Sequence, residues 1–218
     1  MADIFHEVDE EVRRERLAQI WQRYSWLIVG VCVLIVVGVG GWRGYDWYIA
    51  RQAAIAGREF ETAVTLSEQG KAADAEKAFA KVAAEAPGGY RILARFRAAA
   101  SLAQAGKKDE ALKAYDALAA DPSLTQAWQD LASIRAGYLV VDAASLAEMQ
   151  KRLVPLADSN RAFRHSARDL LALSAWRNND VAAAKKYLGM MSADAETPPS
   201  IRSRADMLSA LIAGNDKS

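Results

Sequence analysis

The sequence predicts an all-helical protein in which one N-terminal transmembrane helix is followed by about four helical hairpins and a capping helix. Residues 24–42 form a run of 19 uncharged, mostly apolar residues between Arg23 and Arg43. The rest of the chain is rich in alanine and is interrupted by glycine, proline or asparagine every 15 to 20 residues. A ten-residue pattern also recurs at a spacing of 36 residues, which indicates a repeat array.

Composition excludes several classes of partner. The chain has 28 basic and 27 acidic side chains, so it lacks the strong positive potential with which nucleic-acid-binding proteins neutralise phosphates. Its single cysteine, Cys32, cannot form an intrachain disulfide or a thiolate metal cluster. We therefore expect no nucleic acid, no metal and no cofactor.

The apolar run has the length of a membrane span, because 19 residues at about 1.5 Å per residue cross the roughly 30 Å of a bilayer core. Aromatic residues flank the run on both sides, as expected where rings lie among lipid headgroups. A core helix of a soluble protein would show polar positions at a helical period, and this run has none. The predicted membrane-interface residues are Trp21, Tyr24, Trp26, Trp42, Tyr45 and Trp47.

A cleaved secretory signal is the alternative interpretation of this run. Six acidic residues precede it, and Trp42, Arg43 and Tyr45 stand where a signal peptidase requires small residues, so we expect an uncleaved anchor. The positive-inside rule is nearly silent about orientation, since four arginines within about 20 positions precede the run and three follow it.

A repeated segment organises the rest of the chain. GKAADAEKAF at 70–79 aligns without gaps with GKKDEALKAY at 106–115, and NNDVAAAKKY at 178–187 follows after twice the same spacing. This period predicts a hidden copy at 142–151, where DAASLAEMQK retains Ala147 but lacks the aromatic residue.

The recurring residues suit a pair of antiparallel helices. A small residue permits the turn, alanine lets the helices approach, an aromatic residue fills the space between units, and proline ends the second helix. This pattern resembles the tetratricopeptide repeat, although its early aromatic position falls on Glu59, Arg95 and Ala167. The signature positions are Gly70, Ala75, Phe79, Pro87, Gly106, Ala111, Tyr115, Pro122, Ala183 and Tyr187.

These observations divide the chain into five segments. We predict an N-terminal tail at 1–23, a transmembrane helix at 24–42, a juxtamembrane helix at 43–50, repeats at 51–197, and a capping helix with a tail at 198–218.

The whole chain resembles a bacterial family, the ancillary subunit of the Sec translocon. The resemblance rests on the N-terminal EEVRRER, on Trp21 and Arg23 before the span, on GWRGYDWY at its end, and on the alanine-rich repeats. It implies a single-pass inner-membrane protein with a cytoplasmic N-terminus and a periplasmic repeat domain. The implied partners are the translocon, periplasmic chaperones and exported polypeptides, besides membrane lipid.

The sequence offers no catalytic constellation, since it contains no HExxH, GxSxG or Walker motif, and its two histidines suit helix faces. We therefore expect no enzyme and no small-molecule substrate. The function that remains is a membrane-tethered protein-binding scaffold, either for protein export or for another envelope-assembly or cell-division complex. Four aromatic residues either belong to the core, which their helical spacing favours, or line a peptide-binding surface: Trp128, Tyr138, Phe163 and Trp176.

Overall fold

The computed structural model describes residues 3–158 and 160–215, and it describes side chains at 21–158 and 160–214. Predictions that concern the remaining residues, including the side chain of His6 and the end of the tail after 215, lie outside the described residues. The described helices are α1 (Asp3–Glu68), α2 (Ala72–Glu85), α3 (Gly88–Gln104), α4 (Lys108–Ala119), α5 (Gln126–Val140), α6 (Leu146–Leu153), a short 3₁₀ helix (Val154–Leu156), α7 (Arg164–Arg177), α8 (Val181–Ala193) and α9 (Pro199–Asn215). The chain forms two compact units, residues 1–54 and residues 55–218.

The first unit is built from α1, which continues without interruption past the boundaries predicted at 23, 42 and 50. The helix segment Trp21–Glu68 contains an 18-residue window of mean hydropathy 2.2, and none of that window is buried. By length and composition, this helix is able to cross a membrane. The six predicted interface residues are all exposed: Trp21, Tyr24, Trp26, Trp42, Tyr45 and Trp47.

The second unit confirms the predicted hairpin architecture. Residues 55–68 of α1 pair with α2 through the rings of Phe60 and Phe79 and the ion pair of Glu59 with Lys81. The pairs α3–α4, α5–α6 and α7–α8 follow, so the described residues form four hairpins. Helix α9 packs against α7 and α8 as the capping helix. We call the N-terminal helix of each hairpin its first helix and the other its second helix. Pro87 and Pro122 lie in the connections between hairpins, where their missing N–H groups do not interrupt a helix.

Three of the hairpins turn by the same backbone device. Gly70 and Gly106 have φ angles of 76° and 79°, and Asn179 has a φ of 60°. After each first helix, the residue that follows this left-handed position donates its N–H five residues back, from Lys71 to the carbonyl of Leu66 in the first hairpin. Glycine adopts this conformation at no steric cost and asparagine tolerates it, so these residues end the first helices.

This turn moves the register of the fourth hairpin by one residue from the predicted one. Asn179, and not Asn178, takes the place of Gly70 and Gly106. The residue five positions later is then Ala184, which is completely buried, whereas the predicted Ala183 is only partly buried. Leu188 takes the aromatic position in place of Tyr187, although both side chains are buried.

The third hairpin contains the hidden copy, but two residues later than its predicted register. Ala147 is exposed, while Met149 and Leu153 are completely buried, as Ala111 is in the second hairpin. The cause is a longer turn, since five residues separate α5 from α6 and three separate α3 from α4.

A trio of aromatic rings joins each of the first two hairpins to the next helix. The first helix contributes Phe60 or Phe96, one residue after the predicted positions Glu59 and Arg95. The Phe60 ring lies 5.3 Å from Phe79, and the Phe96 ring lies 5.5 Å from Trp128. The two trios are Phe60, Phe79 and Tyr90, and Phe96, Tyr115 and Trp128.

Ala111 provides a test of this packing, because it has no exposed surface within α4. We expect Ala111→Leu to lower the free energy of unfolding by about 1–3 kcal/mol, since added methylene groups in a filled space force the neighbouring helices apart. The matched control is Ala117→Leu, at an exposed position of the same helix, which should change stability by less than about 0.5 kcal/mol. Urea unfolding of the full chain in mild detergent measures both, and equal losses would contradict the packing described here.

Candidate protein-binding surface

The exposed apolar side chains of the second unit lie almost entirely on first helices and on α9. Among the described residues of this unit, the second helices carry no exposed large apolar side chain. Val154 in the 3₁₀ helix is the one exception to the pattern. A side chain that lies on a helix and remains exposed in this way is available to a partner. The others are Ile55, Leu93, Tyr138, Leu173, Trp176, Met207 and Leu211.

The four aromatic residues predicted for either the core or a binding surface divide evenly. Trp128 and Phe163 are partly buried and pack against core clusters. Tyr138 is 47% exposed on α5 and Trp176 is 38% exposed on α7. Helical spacing alone could not separate the two pairs, because all four lie on or next to first helices and differ only in the direction of the side chain.

An open groove of about 720 Å³ lies between α7 and α9. Trp176 forms one wall, and Met207 and Leu211 from successive turns of α9 form the other. Ala210 and Gly214 complete the lining. The opposite stripe of α9, with Ile201 and Ile212, is buried against the array. Helix α9 is therefore apolar on two faces, of which only one is covered.

Charge is distributed unequally between the two sets of helices. Helices α3, α5, α7 and α9 contain nine arginines, no lysine and three aspartates. Helices α2, α4, α6 and α8 contain eight basic and seven acidic residues. The first helices after the first hairpin, together with α9, therefore combine exposed apolar side chains with an excess of arginine. This combination suits polypeptide partners better than it suits a small apolar ligand.

Most of the arginines on α3, α5, α7 and α9 form hydrogen bonds or ion pairs within the fold, and an arginine on a second helix does the same. Arg95 Nη1 lies 2.5 Å from Asp121 Oδ2, and together with the hydroxyl and backbone N–H of Ser123 it lowers the pKa of Asp121 to about 2, with the Ser123 hydroxyl contributing most. Arg152 of α6 pairs with Asp116 of α4, which ties the second helices of adjacent hairpins.

The fourth hairpin and the capping helix meet at a denser charge network. Asp194 Oδ2 accepts hydrogen bonds from Arg164 Nε and Arg168 Nη1, both at 2.8 Å. The Arg168 side chain is buried, and its Nε also donates to the Ala157 carbonyl at 2.9 Å. These bonds, of which the one from Arg164 contributes most, hold the pKa of Asp194 well below its usual range.

His165 belongs to the same corner. Its Nδ1 lies 3.2 Å from the Thr197 hydroxyl, which donates to the Met191 carbonyl at 2.7 Å. Because the hydroxyl hydrogen is used in that bond, the hydroxyl oxygen accepts from Nδ1–H. Burial, helped by the positive charge of Arg164, lowers the pKa of His165, so the neutral imidazole is the form that the fold favours.

The network predicts a loss of stability on acidification. A histidine with a lowered folded pKa destabilises the fold as the pH drops below the unfolded value of 6.5. An aspartate with a lowered folded pKa withdraws its stabilisation as the pH drops below 3.8. We therefore expect the unfolding midpoint of the full chain in detergent to decline in two steps. His165→Gln should remove the upper step alone, and an unfolding midpoint that rises between pH 7 and 5 would contradict this prediction.

Within the described part of the chain, no group of three or more His, Cys, Asp and Glu side chains is placed to hold a metal ion. His165 is hydrogen-bonded to Thr197 inside the fold, and Cys32 is exposed on the apolar segment of α1.

An array of four hairpins with a capping helix defines a helical-repeat scaffold. The family model described as tetratricopeptide repeat-like domain matches residues 18–186, well over half of the chain, and the chain belongs to this family. Comparison with curated proteins gives no match, and comparison with solved structures gives none either. Domains of this kind are generally non-catalytic and bind proteins.

Proposed function

We propose that this chain is a membrane-anchored protein-binding scaffold that acts as an accessory subunit of the Sec translocon. In this proposal the segment around 24–42 crosses the inner membrane, the N-terminus is cytoplasmic and the repeats are periplasmic. The scaffold links the translocon to periplasmic chaperones and to newly exported polypeptides. The export role is supported by the resemblance of the segments EEVRRER and GWRGYDWY, and of the repeats that follow them, to the ancillary subunit family of the Sec translocon.

The observation that carries protein binding is the concentration of exposed apolar side chains on the first helices and α9. A helical-repeat array presents these helices as one extended surface, and the repetition suits a long polypeptide partner better than a compact ligand. Tyr138 and Trp176 are the strongest contributors, because large aromatic side chains dominate the energy of protein interfaces.

Site-specific photocrosslinking in intact cells tests the proposal. A photoreactive residue at Tyr138 or Trp176 should crosslink to translocon subunits, periplasmic chaperones or exported chains. The same residue at Ala117, exposed on the second helix α4, is the matched control and should give far fewer products. Products dominated by division or envelope-assembly proteins would replace the export role with that alternative. Equal products at all three positions would refute the assignment of the surface.

The anchor and the orientation have separate tests. Alkaline carbonate should leave the chain in the membrane fraction, because about 19 apolar residues insert more strongly than a peripheral contact binds. Protease added to spheroplasts should digest the repeats while the inner membrane is intact. Protection of the repeats until the membrane is broken would reverse the orientation and remove the export role.

A further inference from the structure

Two arginines on neighbouring first helices differ from all the others on α3, α5, α7 and α9. Arg97 on α3 and Arg135 on α5 have no hydrogen-bond or ion-pair partner among the described residues, whereas the other seven arginines of these helices are hydrogen-bonded or ion-paired to carboxylates or carbonyls. Both are exposed.

Arg97 and Arg135 also occupy the same position of the repeat. They are 38 residues apart, the spacing that relates Ala111 to Met149 and Tyr115 to Leu153 in the second helices. Equivalent positions of successive repeats lie side by side in a repeat array, so the two exposed, unpaired arginines belong to one row and are not isolated surface charges.

The groups around the pair add donors and apolar surface. Burial raises the pKa of Tyr115 on α4, and the positive charges of Arg135 and Arg97 oppose that rise. The Tyr115 hydroxyl has no hydrogen-bond partner among the described residues. Leu93 lies one helical turn before Arg97, and Tyr138 lies one turn after Arg135, and both are exposed.

We propose that Arg97 and Arg135 form a site that recognises an acidic segment of an extended polypeptide, with one carboxylate opposite each guanidinium and apolar side chains against Leu93 and Tyr138. This proposal rests on the protein-binding function proposed above and names the chemistry of the ligand. Arginine suits the task because its planar guanidinium binds a carboxylate through two parallel hydrogen bonds.

Charge complementarity favours a polypeptide over a lipid surface. Recognition of anionic headgroups typically uses clusters of four to eight lysines and arginines, whereas α3 and α5 contain two arginines without a partner among the described residues, each near an exposed apolar side chain. The end of α1 in the first hairpin contains Glu59, Glu61 and Glu68, which would repel an acidic ligand. The acidic segment is therefore directed to the second and third hairpins.

Fluorescence anisotropy on the full chain in nanodiscs of neutral phosphatidylcholine tests the site. The probe is a short labelled peptide of alternating Glu and Leu residues, and its partner is the same peptide with Gln in place of Glu. We expect the Glu peptide to bind at least about tenfold more tightly than the Gln peptide, and this preference to shrink as salt is added. Arg97→Gln with Arg135→Gln should abolish the preference.

Arg58→Gln is the matched control, because Arg58 is exposed on a first helix and has no side-chain partner among the described residues. It should leave the preference unchanged. Equal binding of the two peptides, or a preference that survives the double substitution, would overturn the proposal. Loss of binding to vesicles containing phosphatidylglycerol, without a change in peptide binding, would assign the pair to lipid instead.

The outcomes also separate this site from the scaffold function on which it rests. Crosslinking at Tyr138 and Trp176 in the chain with Arg97 and Arg135 intact, together with equal binding of the Glu and Gln peptides by that chain, would retain the scaffold and reject the acidic-segment site. Absence of crosslinking at those positions in the chain with both arginines intact would reject the scaffold surface itself.

Discussion

Replacing Phe79 with alanine should cost the protein about 3–5 kcal/mol of unfolding free energy, one of the two largest effects that we expect from a single substitution. Phe79 has no exposed surface, and its ring packs edge-on against Phe60 across the first hairpin. Truncation removes the transfer free energy of a whole ring and leaves a cavity between two helices. Urea unfolding of the full chain in mild detergent, followed by circular dichroism, measures the loss.

Leu93→Ala is the appropriate control for Phe79→Ala, because it removes a large apolar side chain that is 40% exposed on the neighbouring helix α3. It should cost much less than Phe79→Ala, about 1 kcal/mol, since a smaller and partly exposed side chain loses less buried surface. If the two variants unfolded at the same urea concentration, the first hairpin would not be organised around Phe79.

The hairpin architecture could be predicted from the sequence because its punctuation is local. Gly70 and Gly106 end first helices by adopting a left-handed conformation that their own chemistry permits, and Pro87 and Pro122 separate the hairpins. The alanine and aromatic positions that follow Gly70 and Gly106 are fixed by the geometry of two helices in contact. Each of these signals is contained within about ten residues, so the sequence alone carries it.

The register of the third and fourth hairpins could not be predicted by the same means. A run of two asparagines, 178–179, gives two candidates for one left-handed position, and only the backbone geometry selects Asn179. In the third hairpin, a longer turn shifts the buried positions onto Met149 and Leu153, which are not signature residues. A fixed period detects copies of equal length, and it fails where an insertion lies inside the copy.

The candidate site was harder to predict than the fold, for a physical reason. Whether an arginine is free depends on partners that are distant in sequence, such as Asp121 for Arg95, which is 26 residues away. Arg97 is only two residues from Arg95 and has no such partner among the described residues. Because both residues are arginines on the same helix, the sequence alone does not distinguish them. Trp176 likewise differs from Trp128 only in the direction that it faces. In a scaffold of this kind, the side chains that can bind a partner are those that remain exposed or without a partner in the fold. Tertiary packing determines which side chains these are.

Leu153→Ala should lower the free energy of unfolding by about 2–5 kcal/mol and so test the register of the third hairpin directly. Leu153 has no exposed surface and belongs to the largest core cluster described, which extends from α5 to α9. Its side chain lies against Gly137 of α5, where an added Cβ would be only 3.3 Å from Leu153 Cδ1. The close approach of the two helices therefore depends on a glycine on one side and a leucine on the other.

The adjacent residue supplies the control for this last experiment. Val154 is 45% exposed, so Val154→Ala removes a branched side chain one position further along at little cost, less than about 1 kcal/mol. Because each hairpin of a repeat array is stabilised by its neighbours, the Leu153→Ala loss should also reduce protection of α7 amides in hydrogen exchange. A larger loss for Val154→Ala than for Leu153→Ala would show that the buried positions of this hairpin lie one residue later than the structure has them.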